Sequence, residues 1–156
     1  MILVYDADTA GLKASLVNCE AFLRAGFQVS AVPLPEGKDP DNIAQEQKLE
    51  TGKWLANREQ NFLQYFAISL RGKNPGTDPN REEEAMQRLS TLISVLPSET
   101  LLIKCIEIMA GIFGCNTEVI QRKVNSILRQ RKTASIKEKD KMAPGIYGID
   151  MIAEAR

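Results

Sequence analysis

The sequence predicts an α/β unit followed by an all-α region: a βαβ unit with parallel strands, then a bundle of four to five helices. Three observations carry this. An unbroken apolar run, ILVY, stops abruptly at Asp6. A second strand-like stretch, QVSAVPLP, follows a helical stripe within about 35 residues of the first. After the turn EGKDPD every periodic signal is helical.

The first run is rich in β-branched and aromatic residues and reads as a strand buried on both faces. Asp8 or Thr9 is placed to cap a helix in which Leu12, Leu16, Cys19 and Leu23 recur at helical spacing, and Gly26 stands where such a helix ends in the left-handed conformation. A strand, a helix and a strand at this spacing form one crossover unit, whose strands lie parallel. A short helix is then expected near Pro40–Leu49, and a longer one from about Trp54 to Leu70 with Phe62, Phe66 and Leu70 inward. Past the loop GKNPGTDPN, Asp78 and Pro79 supply a cap and a first-turn proline for a helix carrying Ala85, Leu89, Leu92 and Leu96. Ser98 caps the next helix, with Leu102, Ile106, Met109 and Phe113 at helical spacing before Gly114. Asn116 caps a last one, with Ile120, Val124 and Ile127 inward. The polar stretch Lys132–Lys141 reads as a linker, and APGIYGIDMIAEAR as a further short helix. The expected divisions are 1–50, 51–132 and 133–156.

Composition narrows the class. With 156 residues, 44% apolar and 26% charged, the chain is of a length and balance to fold around one core. Twenty basic and twenty acidic residues cancel, yet they are unevenly placed. Residues 1–50 hold eight acids and four bases, whereas Arg122–Lys141 hold eight bases and two acids. Three cysteines without CxxC spacing indicate neither a disulfide framework nor a zinc ribbon. The most apolar helix, LLIKCIEIMAGIFGC, is interrupted by Lys104 and Glu107 and falls short of the roughly 20 residues a membrane span needs. A cytoplasmic protein without a membrane segment is expected.

Two pairs of carboxylates mark the candidate site. Asp6 and Asp8 stand two apart where the first strand ends, so an extended backbone sends both to one side. Like charges that converge repel, and a divalent cation keeps both ionised. Magnesium suits such a pair, since it binds through one or two carboxylates and keeps other positions for water and phosphates. Asp39 and Asp41 follow the second parallel strand and are expected at the same sheet edge, where open α/β sheets place ligands. Each pair also has a purely structural reading: Asp39 before Pro40 is what a helix cap looks like, and Asp6 and Asp8 suit a turn.

The joint pattern YDADTAGLKA, a strand, then LPEGKDPDN closely resembles the second half of the Toprim domain of DnaG-type bacterial primases. The helices to about Arg131 resemble, more loosely, the helical subdomain that closes the primase core. That resemblance implies a nucleotidyltransferase that makes RNA primers on single-stranded DNA from nucleoside triphosphates, beside a replicative helicase. It implies that Asp6, Asp8, Asp39 and Asp41 hold catalytic magnesium or manganese, with Asp6 and Asp8 at the centre of the chemistry, and that Lys13 and Lys38 meet phosphates. Arg122, Lys123, Arg129, Arg131 and Lys132 are candidate nucleic-acid contacts. Toprim proteins also carry a glutamate on an earlier strand, and primases a zinc-binding module and a basic subdomain. Only five residues precede Asp6, so the 156 residues alone are expected to bind metal weakly and to make no primers. A two-stranded sheet with apolar faces would leave edges open, from which a homodimer through the ILVY strand or the sheet face is expected.

Two other readings compete. A strand ending in Asp-x-Asp resembles the nucleophile motif of haloacid-dehalogenase-type phosphatases, but that motif wants Thr or Val at Ala10 and a longer α/β core, whereas this chain turns helical after Asn42. A non-catalytic module docking a helicase or nucleic acid through the basic tail is the third.

Overall fold

A computed structural model of the chain describes residues 1–6 and 8–141. Strand β1 (Ile2–Val4) leads into helix α1 (Thr9–Arg24), and β2 (Ser30–Val32) returns parallel to β1 with Leu3 opposite Ala31. Helix α2 (Pro40–Gln47), a single 3₁₀ turn at Lys48–Glu50 and helix α3 (Thr51–Ala56) follow. Then come β3 (Gln60–Asn61), α4 (Phe62–Arg71), α5 (Pro79–Ile93), α6 (Glu99–Phe113) and α7 (Thr117–Lys141). The α/β unit followed by a helical bundle is therefore the architecture observed. No helix among the described residues is long and apolar enough to cross a membrane.

The local signals act where the sequence puts them. Asp78 accepts hydrogen bonds from the backbone N–H of Asn80 and Arg81, with Pro79 beside it in the first turn of α5. Ser98 caps α6, and Gly114 ends it at φ +61°, the left-handed region that glycine enters without a Cβ penalty. Ile120 and Val124 are fully buried, as are Leu89, Met109 and Phe66, and with Leu3, Ala31, Cys19 and Leu23 they make one continuous core. The strands and the bundle thus share a single apolar interior.

Four expectations are corrected. The helix expected over Trp54–Leu70 is broken: α3 ends at Ala56, and Gln60–Asn61 pairs antiparallel with β2 before α4 begins. Asn61 then accepts from the N–H of Leu63 and caps α4. The sheet consequently has three strands in the order β1-β2-β3, not two, because β3 satisfies the edge of β2 that faces away from β1. Nor is β1 buried on both faces: Leu3 is buried, but Ile2 is 43% exposed, as befits a strand at the sheet edge. Finally, Lys132–Lys141 is not a linker, for α7 continues through Lys141 and crosses the expected boundary at 132. No glycine or proline interrupts the chain between Asn116 and Lys141, and its Lys, Arg, Glu and Gln residues are good helix formers. The helix expected over APGIYGIDMIAEAR lies outside the described residues.

Three helices of the bundle meet at one guanidinium. Arg71, at the end of α4, donates from Nε to both oxygens of Glu82 at 2.9 and 2.8 Å, and from Nη1 to the Ile112 carbonyl of α6 at 2.9 Å. Glu82 also accepts from the N–H of Gly76 at 2.7 Å. Both side chains are largely buried, at 17% and 19% exposure, so the pair is shielded from the screening that weakens surface ion pairs. The Arg71 hydrogen bond, foremost, holds the Glu82 carboxyl below its ordinary pKa. A depressed folded-state pKa means stability that is present above the unfolded value of 4.5 and is lost as pH falls through the lower folded one. Arg71→Ala is expected to cost about 2 kcal/mol in urea unfolding at pH 7, with the gap to the parent chain narrowing as the buffer is taken well below pH 4.5.

Candidate functional site

The loop leaving β1 is short, and α1 starts at once. Asp8 is the N-cap of α1: its backbone is extended, and its Oδ1 accepts from the N–H of Gly11 at 2.6 Å. Gly11 lies so near the end of the strand that a Cβ on it would sit 2.3 Å from the Asp6 carbonyl oxygen and 3.1 Å from Asp8 Oδ1. Only a residue without a side chain permits that approach. The glycine and the cap together fold the Asp6–Asp8 turn onto the first turn of α1.

Asp6 and Asp8 consequently line one cavity of about 300 Å³ at the C-terminal end of β1. Pro33 and Leu34, just past β2, form another wall, and Tyr65 and Ser69 of α4 close the far side. Tyr65 and Ser69 were not among the residues singled out from sequence; they sit in an apolar helical stripe and reach the site only through the packing of α4 on the sheet. Burial pushes the Tyr65 phenol above its ordinary pKa, so it stays protonated in neutral solution.

The second acidic pair is placed differently. Asp39 caps α2 in a reciprocal box: its Oδ1 accepts from the N–H of Asn42 at 2.7 Å, while its own N–H donates to Asn42 Oδ1 at 3.0 Å. Asp41 is exposed in the first turn and accepts from Gln45 Nε2 at 2.7 Å. Neither lines the Asp6–Asp8 cavity. Among the described residues, no three Asp, Glu, Cys or His side chains form a group placed to hold one ion.

The basic candidates divide in the same way. Lys13 is exposed on α1, next to the Asp8 end. Lys38 is ion-paired with Glu46 of α2. Lys123 pairs with Glu83 of α5, and Arg131 approaches Glu20 of α1 at 3.7 Å, so these two also brace α7 against the bundle. Arg122 donates to the Glu118 carbonyl one turn back, and Arg129 and Lys132 are exposed. Burial, then the charge of Glu20, pushes the Cys19 thiol up to about 12, and burial lifts Cys105 to about 11, so both stay protonated in neutral solution.

A parallel βαβ unit with an acidic turn at its strand end, closed by a helical bundle, defines the class of this molecule. No family model matches the chain. It is 27% identical over 134 residues to the DNA primase of Staphylococcus epidermidis, an alignment covering 85% of this chain and 22% of that protein. Among solved structures, a DNA primase domain from Pseudomonas aeruginosa matches with a TM-score of 0.60 at 22% identity, over 80% of this chain and 40% of that one. A DnaG primase catalytic domain bound to single-stranded DNA matches with a TM-score of 0.56 at 25% identity, over 75% of this chain and 38% of that one. The resemblance to DnaG-type primases read from the sequence thus holds in sequence and in fold. The chain spans about a fifth of the length of the S. epidermidis relative.

The cap gives Asp8 a structural duty that can be separated from its charge. Asn caps as well as Asp, whereas Ala does not cap. Asp8→Ala is expected to lower stability by about 1 kcal/mol, while Asp8→Asn melts within a degree or so of the parent chain, about the shift a few tenths of a kcal/mol produces; paired thermal melts check this.

Proposed function

We propose that this chain supplies the acidic, metal-binding part of a DNA primase catalytic core, the part that within a whole core takes part in transferring nucleotides to a growing RNA primer. The observation that carries the reading is the shared cavity of Asp6 and Asp8 at the end of a parallel strand, beside the N-terminus of α1, in a chain similar to DNA primases.

The residues present fit a small divalent cation. Asp6 and Asp8 offer hard oxygen donors to one 300 Å³ space, and magnesium asks for only one or two carboxylates, with water and phosphate filling its other positions. The cap occupies Oδ1 of Asp8 and leaves its second oxygen for the ion. Magnesium or manganese, when bound, would activate a 3′-hydroxyl and neutralise the triphosphate of an incoming nucleotide. The protein's own part is positional. Asp6 and Asp8 fix the ion, Gly11 and the α1 cap fix the two aspartates, and the α1 N-terminus favours an anion close by. Asp39 and Asp41, at the start of α2, lie outside that cavity and are assigned no ligand role in it. Lys13, unlike Lys38, has no ion-pair partner among the described residues and is the better placed of the two to meet a phosphate.

A direct test replaces the matching stretch of the S. epidermidis primase with residues 1–131 of this chain and measures primers made on single-stranded DNA with magnesium. The chimera is expected to prime, and Asp8→Asn within it to lower primer yield by more than about tenfold, the loss that even an outer partner of a metal ligand typically brings. A folded chimera that primes equally well with Asp6→Asn and Asp8→Asn together would refute the reading. A polypeptide of these 156 residues alone, given template, nucleotides and magnesium, is expected to yield no primer.

A further inference from the structure

The two aspartates are the only charged residues lining the cavity at the end of β1. Opposite them, on α4, stand Tyr65 and Ser69, one helical turn apart and so on one face. Each offers a neutral hydroxyl, and the two are not equivalent. Ser69 Oγ donates to the Tyr65 carbonyl at 2.9 Å, which commits its hydrogen and leaves only lone pairs for the cavity. Tyr65 is 9% exposed, with its ring packed in the main core. Its hydroxyl makes no hydrogen bond among the described residues, and burial is the one influence that moves its pKa. Nor is that oxygen sealed in, since Ser90 Oγ is the only fully enclosed side-chain polar atom without a partner among those residues. A polar group that has left bulk water without gaining a protein partner needs one in the open space before it.

Size decides how these hydroxyls would reach an ion. A volume of about 300 Å³ is about ten times the roughly 30 Å³ that a water takes up in the liquid. An ion seated on Asp6 and Asp8 therefore leaves room for water between itself and α4. A water bound to a divalent cation points its hydrogens outward, and the lone pairs of Tyr65 and Ser69 are acceptors for them. The Leu12, Pro33 and Leu34 side chains on the other walls offer no competing partner. Magnesium dehydrates reluctantly and keeps several waters in a strict octahedron, whereas calcium takes more oxygens in a looser geometry. A wall that binds hydration water favours the first.

We infer that Tyr65 and Ser69 are positioning residues for the hydration shell of the cation held by Asp6 and Asp8, and that through it they favour magnesium over calcium there. The inference rests on the metal role proposed for the two aspartates. It adds that α4, a helix of the bundle, completes a site otherwise built from the β1–α1 turn.

The test displaces manganese from the 156-residue chain with magnesium or with calcium, followed by electron paramagnetic resonance, in the parent, Tyr65→Phe and Ser69→Ala. Tyr65→Phe removes one oxygen and keeps the ring in the core, and Ala is a better helix former than Ser, so both variants are expected to fold, as circular dichroism checks. Each is expected to weaken magnesium about fivefold, near what one hydrogen bond contributes, and to leave calcium within about twofold of the parent. A merely structural role for the hydroxyls would weaken both ions alike. That result, or unchanged affinity for both ions in the folded variants, would overturn the inference. The metal reading has its own control, since joint Asp6→Asn and Asp8→Asn is expected to lose manganese. If the parent takes up no manganese, or the doubly substituted chain keeps it, that reading fails and the inference falls with it. If manganese needs the aspartates while the magnesium-to-calcium ratio ignores both hydroxyls, only the inference fails.

Discussion

The turn between β1 and α1 governs the rest of the site. A strand that enters a helix within a few residues must reverse direction while satisfying the first N–H groups of that helix. Here Asp8 accepts from Gly11, and Gly11 has no Cβ to collide with the carbonyl of Asp6. Those two facts bring the Asp6 carboxylate, two residues past β1, and the helix's cap carboxylate to one cavity. Nothing comparable would follow from a longer loop, in which the two acids would be free to separate. The core holds the frame in place, because Leu3 on the strand and Cys19 and Leu23 on the helix are buried in the same cluster as the bundle helices.

Capping and ion binding are compatible because a carboxylate has two oxygens. Asp8 commits one to Gly11. The hydrogen bond orients the group and thereby reduces the entropy that a metal would otherwise have to remove on binding. A helix N-terminus also lowers the cost of gathering negative charge around it. Helix α7 uses charge differently. Lys123 and Arg131 are matched with Glu83 and Glu20 from α5 and α1, so part of the basic stretch fastens α7 to the bundle.

Local chemistry was legible in the sequence, and tertiary consequences were not. The caps at Asp78, Ser98 and Asn116 and the helical stripes of α5, α6 and α7 are signals carried within a few residues of where they act. The parallel pairing of β1 with β2 follows from the length of the crossover. Strand β3 was invisible because two residues show no periodicity, and Gln60 and Asn61 are extended only because the edge of β2 needs partners. The continuation of α7 was hidden by its polarity, which marks a solvated helix and a linker alike. The Asp6–Asp8 pair was readable from its spacing, yet the wall opposite was not, since Tyr65 and Ser69 come from a helix whose stripe reads as core.

The most direct measure of this account is manganese binding to the 156-residue chain, followed by electron paramagnetic resonance, in the parent and in Gly11→Ala. If the close approach at Gly11 sets the two carboxylates, the added methyl displaces them, and affinity for manganese should drop severalfold while the far-ultraviolet spectrum stays helical. Equal affinity in a folded Gly11→Ala protein, or manganese binding that survives the joint loss of both aspartate charges, would contradict it.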